Sequence, residues 1–498
     1  MDPRSTPTPG GRLLSQVFQK LRRQVVGIDH QVPLATGGSA QYVFLDNAAS
    51  TPTLKPVLDK VQRTLEWYSS IHRGTGYKSN VATEYYEQAR RKMIEFVGGD
   101  EKPHEVVFAG NTTEAINRLA CCLSLPENPA ILISPMEHHS NELPWRRFGE
   151  VHYLPLAAGG RIDIEAAEKM IASLADRLAL VALTGASNIT GQFNPIHQLA
   201  AAAHRHGARV IIDAAQLAPH CAINIEGSAP GEHLDFIAIA GHKMYAPFGG
   251  AALIGRREAL ADCRPACVGG GTVKLVTRDR VVWADLPGLL EAGTPNVVGA
   301  VSMAAAAELL LEVGFDAVRE HEIELTRRLI EGLRSIPGLT IYGPADPAKA
   351  GERLGVVAFN LEGYPHNLTA AVLSYEYGIG VRNGCFCAHP FVVDLLRIDE
   401  ADFERRAAAM LAGDRGEVPG MVRVSLGIYN TAEEVDRFLD ALRRLAAEGP
   451  GVEYELDRPS GAYHPRGFSF EIERLFSTNG SGDHTAITEA TGDRTTRA

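Results

Sequence analysis

The sequence lacks an excess of positive charge and has few cysteines for its length. Its 498 residues carry 49 Lys and Arg against 60 Asp and Glu, a net charge of −11. That balance argues against a nucleic-acid binder and against a protein held on an anionic membrane surface. Seven cysteines in so long a chain do not form a disulfide framework. We therefore expect a protein with reduced thiols.

Long apolar stretches are also missing. No run approaches the roughly 18 uninterrupted apolar residues of a membrane-spanning helix. Residues 1–7 lack the apolar core of a signal peptide. With 45% apolar and 22% charged residues, the composition is that of an ordinary globular protein. These features predict a cytoplasmic enzyme of α/β type with no membrane contact.

From about residue 40 the sequence alternates short apolar runs with helical patterns. The clearest runs are Val106–Phe108, Ile131–Ile133, Leu180–Leu183, Val210–Ile212, Phe236–Ile239 and Ala251–Ile254. Strands that alternate with helices predict a mostly parallel sheet covered by helices on both faces. In such sheets, ligands bind at the carboxyl ends of the strands.

Changes in pattern divide the chain into a large and a small domain with flanking segments. The large domain is expected to end where a long Ala- and Leu-rich helix begins, near residue 297. The predicted segments are a flexible arm at 1–11, a stretch at 12–35 whose helix packs on the small domain, the large domain at 36–296, the small C-terminal α/β domain at 297–449, an appendage at 450–476 and a disordered tail at 477–498.

Polar residues follow several of the predicted strands. Gly110–Glu114 precedes a helix, and the free N–H groups of a helix N-terminus, with the hydroxyls of Thr112 and Thr113 beside them, suit a phosphate; an ordinary N-cap is the alternative. His138 could stack on a planar cofactor or be one of a surface pair. Asp213, at the end of a buried strand, could keep a ring nitrogen protonated or be bonded to nearby backbone.

Lys243 lies between a buried strand and a Pro/Gly-containing turn. Partial burial should lower its pKa, as an amine that forms a Schiff base requires; a plain surface lysine is the alternative. A phosphate site, a ring stacker, an acid for a pyridinium and an amine for an aldehyde are together what pyridoxal 5′-phosphate needs.

The order of these clusters resembles the class V, fold type I pyridoxal-phosphate enzymes, in the branch of cysteine desulfurases and selenocysteine lyases. The resemblance runs from Leu45 to Thr431. It rests on Asn-Thr-Thr-Glu-Ala-Ile-Asn at 111–117, Met-Glu-His-His at 136–139, Ser-Asn-Ile-Thr-Gly at 187–191, Asp-Ala-Ala-Gln at 213–216, Gly-His-Lys-Met-Tyr at 241–245 and Glu-Ala-Gly-Thr-Pro-Asn at 291–296. It implies a large domain with a mostly parallel seven-stranded sheet and a smaller C-terminal α/β domain.

The resemblance also implies a role for each motif residue. Lys243 would bind the cofactor aldehyde and move protons at the substrate Cα, and His138 would stack on the cofactor ring. Further cofactor contacts are implied for Asp213 and Gln216 on the ring, and for Thr112, Thr113, His242 and, in the neighbouring subunit of a homodimer, Thr294 on the phosphate. Asn188 and Arg423 would hold the carboxylate of a small amino-acid substrate; a surface ion pair is the alternative for Arg423.

The segment Arg382–Ala388, with sequence Arg-Asn-Gly-Cys-Phe-Cys-Ala, bears on the reaction. By resemblance, Cys387 is the thiol that takes sulfur from the substrate as a persulfide. Cys385 is an extra cysteine, either a packing residue or a second thiol that accepts sulfur or pairs with Cys387. A metal on Cys385, Cys387 and His389 is not expected, because the spacing is not that of a structural zinc site.

These features predict a pyridoxal-phosphate-dependent cysteine desulfurase that converts L-cysteine to L-alanine, with a protein sulfur acceptor as a possible partner. Selenocysteine lyase, cysteine sulfinate desulfinase, another C–S lyase, and a class V aminotransferase or epimerase are alternatives with the same cofactor. A non-catalytic scaffold or sulfur-transfer partner is the alternative from a different class.

Overall fold

The part of the chain that this computed structural model describes, residues 9–72, 74–157 and 159–469, forms two units. The first unit contains the described residues up to Val26, then Ala48–Ile323 and Gly351–Leu354. The second contains Gly27–Asn47, Glu324–Ala350 and the described residues from Gly355 onward. The predicted tail at 477–498 and the end of the predicted appendage lie outside the described residues.

A seven-stranded sheet forms the centre of the first unit. Its strands are β1 (His104–Ala109), β2 (Ala130–Ile133), β3 (Glu150–Tyr153), β4 (Leu178–Thr184), β5 (Arg209–Asp213), β6 (Phe236–Ala240) and β7 (Ala251–Arg256). They lie in the order β1-β7-β6-β5-β4-β2-β3. β7 is antiparallel to both of its neighbours and the other pairs are parallel. This confirms the mostly parallel sheet and the type I fold.

Burial explains why these strands read as continuous apolar runs. Side chains on both faces of β2 and β6 are buried, as expected when helices cover both faces of a parallel sheet. The described helices of the first unit are Pro9–Arg22, Lys55–Trp67, Tyr77–Phe96, Thr112–Cys122, Ile164–Ser173, Ile196–His204, Arg257–Leu260 and Val297–Val313. Phe315–Arg334 begins in the first unit and ends in the second.

The large domain is predicted to end at residue 296, whereas in the structure the first unit continues to Ile323. The helix Val297–Val313 begins after Asn296, whose side chain accepts a hydrogen bond from the backbone N–H of Gly299. This helix packs against Tyr77–Phe96 and Lys55–Trp67 and is buried along most of its length. Its apolar surface therefore belongs to the core of the large unit, although its composition suggested the start of a new domain.

The N-terminal helix also differs from the prediction. It begins at Pro9, inside the predicted flexible arm. Phe18 is buried and its ring stacks on His321, with 4.0 Å between ring centroids, and Val25 forms a β-bridge with Leu54. These contacts join the segment up to Val26 to the first unit, so the predicted assignment of the whole 12–35 stretch to the small domain is corrected.

The second unit contains a four-stranded antiparallel sheet. Its strands are β8 (Leu339–Tyr342), β9 (Val356–Leu361), β10 (Arg382–Gly384) and β11 (Met421–Ser425), in the order β8-β9-β11-β10. Its helices are His366–Tyr377, His389–Leu396, Glu400–Leu411 and Ala432–Glu448. Short strands pair at Gln31–Pro33 with Ser39–Gln41, at Val43–Phe44 with Ile379–Gly380, and at Tyr454–Asp457 with Ala462–Pro465.

Among the described residues, no single helix has both the length and the apolar composition needed to cross a membrane. The helices Val297–Val313 and Phe315–Arg334 meet that test only when taken together, and they are bent by 79° at the break between them.

Candidate active site

The first unit brings most of the predicted site residues to one edge of its sheet. β1, β2, β4, β5 and β6 run in the same direction, so the loops that follow them leave from the same edge. The clusters on these loops are Gly110–Thr113, Ser134–His138, Gly185–Asn188, Asp213–Gln216 and Gly241–Lys243. This is the edge at which α/β sheets bind ligands.

Lys243 is half-buried and ends a short 3-10 helix, Gly241–Lys243. A Cβ at Gly241 would lie 2.7 Å from Met303 Cγ and 2.8 Å from the Gly250 carbonyl oxygen, so a side chain there would push this turn out of place. The backbone N–H of Thr51 donates to the His242 carbonyl oxygen over 2.8 Å. These contacts fix the backbone from which the Lys243 side chain extends.

The charges of Asp213, His242 and Lys243 influence one another. Burial raises the pKa of Asp213, while the Lys243 ammonium and the N–H of Ala215, 3.0 Å from Asp213 Oδ1, act to lower it. Burial and the Lys243 charge lower the pKa of His242 to about 4. His242 is therefore neutral near pH 7. The Asp213 carboxyl and the Lys243 amine interact electrostatically at the ends of the adjacent strands β5 and β6.

Gln216 is buried, and its Nε2 donates to the Ala48 carbonyl oxygen over 2.7 Å. This bond joins the turn after β5 to the Asp-Asn-Ala-Ala-Ser segment at 46–50. The side chain is thereby held in one orientation at the sheet edge.

The turn before the helix Thr112–Cys122 is well ordered by its own hydrogen bonds. Asn111 caps the helix by accepting from the N–H of Glu114 over 2.8 Å, and Gly110 N–H donates to the Glu114 carboxylate over 2.8 Å. Thr112 Oγ1 is buried and has no hydrogen-bond partner in the structure. A buried hydroxyl without a partner, at a helix N-terminus, is suited to an anion that supplies the missing bond.

His138 is held by the residue two positions after it. The Ser140 backbone N–H donates to His138 Nδ1 over 3.1 Å, and Ser140 Oγ lies 2.9 Å from the same nitrogen. Ser140 Oγ is also 2.6 Å from Thr113 Oγ1. Ser140 thus contacts both His138, which is predicted to stack on the cofactor ring, and Thr113, which is predicted to bind the phosphate.

The sequence motifs predict no role for Glu137. It is fully buried, and its carboxylate accepts from Ser134 Oγ at 2.5 Å, the Thr184 N–H at 2.6 Å and Asn141 Nδ2 at 2.7 Å. Burial raises the pKa of Glu137 to about 8, and the charge of Asp213 adds to the effect. Glu137 ties the turn that carries His138 to the end of β4.

Asn188 is buried near the tip of the loop that follows β4. Ser187 shapes this loop, because its Oγ accepts from the N–H groups of Ile189 and Thr190, each over 3.2 Å. The segment Gly351–Leu354 braces the far side, where the Leu354 N–H donates to the Gly191 carbonyl oxygen over 2.8 Å.

Arg423, in β11 of the second unit, is only 3% exposed. Its Nη2 donates to Asp46 Oδ1 over 3.0 Å, and its guanidinium carbon lies 4.8 Å from the centre of the Phe386 ring. Burial lowers the pKa of Arg423, and Asp46 acts in the opposite direction. The alternative predicted for Arg423, a surface ion pair, is therefore corrected. Arg423 does pair with Asp46, but its side chain is buried.

Cys385 and Cys387 differ although one residue separates them. Cys387 is exposed, and both it and Phe386 have left-handed backbone conformations, with φ of 54° and 52°. Cys385 is partly buried; its thiol donates to the Pro419 carbonyl oxygen over 2.7 Å, and burial raises its pKa to about 12. At neutral pH the Cys385 sulfur is a bonded thiol, which favours the packing role over that of a second nucleophile.

Thr294 is exposed and lines a cavity of about 220 Å³ in the first unit, together with Gly110, Glu114 and Glu291. Glu291 is the anchor of this segment, since its carboxylate accepts from Arg90 and from the N–H of Phe108.

A profile of the family described as aminotransferase class-V matches residues 43–438. Over 414 residues, 81% of this chain and 92% of its own length, a protein of Halobacterium salinarum named as a probable cysteine desulfurase is 34% identical to it.

Solved structures give the same result. The apo structure of a cysteine desulfurase from Thermococcus onnurineus NA1 is similar with a TM-score of 0.73 and 29% identity, over 89% of this chain and 99% of that one. The cysteine desulfurase CsdA from Escherichia coli, in an S-sulfonic acid form, is similar with a TM-score of 0.69 and 28% identity, over 86% and 98% of the two chains.

Proposed function

Because this chain belongs to the aminotransferase class-V family, we propose that it is a pyridoxal-phosphate-dependent cysteine desulfurase. It would take sulfur from L-cysteine onto Cys387 and release L-alanine. The observation that carries the proposal is the group formed by Lys243, Asp213 and the buried hydroxyl of Thr112 at one sheet edge. The relatives named as cysteine desulfurases support the choice of substrate.

The residues of the first unit fit pyridoxal 5′-phosphate. Thr112 Oγ1 is a buried polar atom without a partner, and a phosphate would satisfy it. Asp213 is a buried acid next to the charge of Lys243, as needed to pair with a protonated ring nitrogen. Thr113, His242, Gln216 and His138 would complete the contacts, in the roles that the resemblance implies.

When bound, pyridoxal 5′-phosphate supplies an electron sink that weakens bonds at the substrate Cα and Cβ. Lys243 would hold the cofactor covalently at rest and, once displaced by substrate, would carry the Cα proton. Its fixed backbone keeps the amine in place for both tasks, since proton transfer requires a positioned group within hydrogen-bond reach. Asn188 and Arg423 would hold the substrate carboxylate, and Asp46 would keep the guanidinium in orientation.

Cys387 would act as the nucleophile. Its thiolate attacks the substrate sulfur, the S–S bond forms as the Cβ–S bond breaks, and the carbon fragment gains protons to become alanine. Overall, L-cysteine and the Cys387 thiol give L-alanine and a Cys387 persulfide, with no oxidant or reductant needed. An exposed thiol can then pass sulfur to an acceptor. A homodimer that shares its site through Thr294, a protein sulfur acceptor and a cytoplasmic location remain part of this proposal.

The test is to incubate the cofactor-loaded protein with L-cysteine and quantify alanine and sulfide together. We expect equal amounts of both in the presence of a reducing thiol. Mass spectrometry without reductant should find Cys387 heavier by about 32 Da, one sulfur atom. Borohydride should fix the pyridoxyl group on Lys243. A label on another lysine, or none, would refute the cofactor site.

A substrate panel separates this proposal from the alternatives. L-Selenocysteine and L-cysteine sulfinate carry better leaving groups than L-cysteine and depend less on a thiol nucleophile. If alanine forms from these two and not from L-cysteine, the cysteine desulfurase proposal is wrong and the lyase or desulfinase alternative holds. When the panel is repeated with Cys387→Ala, the matched control is Cys267→Ala, which removes a different exposed thiol and should leave every rate unchanged.

A further inference from the structure

Ser140 lies between two side chains that the proposed function uses for different parts of the cofactor. Its hydroxyl oxygen is 2.6 Å from Thr113 Oγ1 on one side and 2.9 Å from His138 Nδ1 on the other. Ser140 is only 8% exposed, so its hydroxyl has little access to water. The geometry points to a positioning role: we propose that Ser140 orients the Thr113 hydroxyl toward the cofactor phosphate. This inference rests on the proposed function.

The proton positions follow from the backbone. The Ser140 N–H donates to His138 Nδ1 over 3.1 Å, so that nitrogen is an acceptor and the neutral ring carries its proton on Nε2. Nδ1 has a single lone pair, so a bond from the Ser140 hydroxyl would have to share it with the backbone N–H and would be weak. The Ser140 hydroxyl proton is therefore available for the stronger acceptor of its two neighbours.

Two arrangements of the hydroxyl protons fit the distances. In one, Thr113 donates to Ser140 and Ser140 donates to His138 Nδ1. In the other, Ser140 donates to Thr113, which leaves the Thr113 proton to point at a third group. A phosphate dianion is the stronger acceptor, and a charged acceptor roughly doubles the strength of a hydrogen bond. Bound phosphate therefore selects the second arrangement, and Ser140 stabilises it by donating to Thr113.

This role makes a selective prediction. Ser140→Ala removes the hydroxyl but keeps the backbone N–H that holds His138. Contacts to the ring should remain, whereas the Thr113 hydroxyl loses the donor that directs it. The variant should therefore bind pyridoxal 5′-phosphate more weakly and bind pyridoxal, which lacks the phosphate, almost as well as the wild type.

The experiment titrates the full-length protein, freed of cofactor, with pyridoxal 5′-phosphate and separately with pyridoxal, following the absorbance of the bound aldehyde. For Ser140→Ala we expect about a tenfold rise in Kd for pyridoxal 5′-phosphate and less than a twofold rise for pyridoxal. Ser140→Thr, which keeps a hydroxyl, should restore most of the phosphate preference. Ser140→Cys, close to serine in volume but a weak donor, should behave like the alanine variant.

A double-mutant cycle tests the route through Thr113. In a Thr113→Val background, Ser140→Ala should raise the Kd for pyridoxal 5′-phosphate by less than twofold, because the hydroxyl it orients is gone. Equal losses for both ligands, no loss for either, or full additivity with Thr113→Val would overturn the proposal. Wild-type protein that binds neither ligand would instead refute the proposed function, and this inference with it.

Discussion

The surroundings of Lys243 and of Cys387 are built in opposite ways. Lys243 is half-buried on a turn that Gly241 and the Thr51–His242 bond fix in place. Cys387 is exposed, on a short connection between β10 and the helix His389–Leu396. An amine that must hold the cofactor and carry the proton of the substrate Cα benefits from a rigid position that is partly shielded from water. A thiol that must deliver sulfur to another molecule needs access to solvent.

The two cysteines of the second unit repeat this contrast within three residues. Cys385 is bonded to the Pro419 carbonyl and its pKa is raised to about 12, whereas Cys387 faces solvent. Thiol reactivity depends on thiolate content and access, so the same residue type serves packing at one position and chemistry at the other.

Lys243→Ala should have the largest effect. Without the amine there is no covalent attachment and no carrier for the Cα proton, so alanine formation from L-cysteine should fall by about 10³-fold or more. Lys169→Ala, which removes an exposed lysine paired with Glu165 on the same helix, is the control and should leave the rate unchanged. A Lys243→Ala protein that retains a tenth of the rate would contradict the assigned role.

Cys387→Ala should come next. The variant should keep its cofactor absorbance, because the residues proposed to hold the cofactor are untouched, while sulfide release from L-cysteine should drop by about 10²-fold or more. Parallel assays of alanine and sulfide check this. Undiminished sulfide production would show that the exposed thiol is dispensable and would remove the basis of the comparison with Lys243.

Glu137→Gln should cost about 2 kcal/mol of unfolding free energy near pH 5. Its new Nε2 group would face Asn141 Nδ2, and Asn141 cannot turn over because its Oδ1 accepts from Trp145 Nε1 over 3.1 Å. Glu165→Gln, at an exposed position, is the control. Urea unfolding measures both; a variant as stable as the wild type would contradict the buried donor network.

The same variant has a distinct pH dependence. Burial raises the folded-state pKa of Glu137 from 4.5 to about 8. The group therefore contributes stability that is fully present below about pH 4.5 and is lost as the pH rises through about 8. Wild-type stability should fall more steeply than that of Glu137→Gln between about pH 5 and 8, and parallel curves would contradict the raised pKa.

Cys385→Ala should have the smallest effect. It removes one S–H donor to the Pro419 carbonyl oxygen, which should cost about 1 kcal/mol of stability. Alanine and sulfide production should stay within about threefold of wild type, since the thiol is bonded and protonated at neutral pH. A loss as large as that of Cys387→Ala would show that Cys385 takes part in sulfur transfer after all.

Much of the sheet-edge cluster could be predicted because it depends on local order in the sequence. An apolar run followed by polar residues places those residues at the end of a strand, and parallel strands put their ends side by side. Asp213 and Lys243 are predictable in this way, and in the structure the Lys243 charge acts on Asp213.

Other features could not be read from the sequence because they join distant segments. Asp46 and Arg423 are 377 positions apart, yet they form a hydrogen bond. The boundary near residue 323 depends on where the helix Val297–Val313 packs, and a similar apolar helix could have packed on either domain. Glu137 is part of the Met-Glu-His-His motif, but only the folded structure shows that three donors surround its carboxylate.

The sequence by itself determined the fold class, the family and the residues at the strand ends, because hydrophobic periodicity and short motifs are properties of neighbouring residues. The tertiary structure alone decided which hydroxyl stands between Thr113 and His138, which acid is fully buried and which of two cysteines faces solvent. Burial and pairing depend on contacts between segments that are distant in the sequence, and local sequence patterns do not predict those contacts.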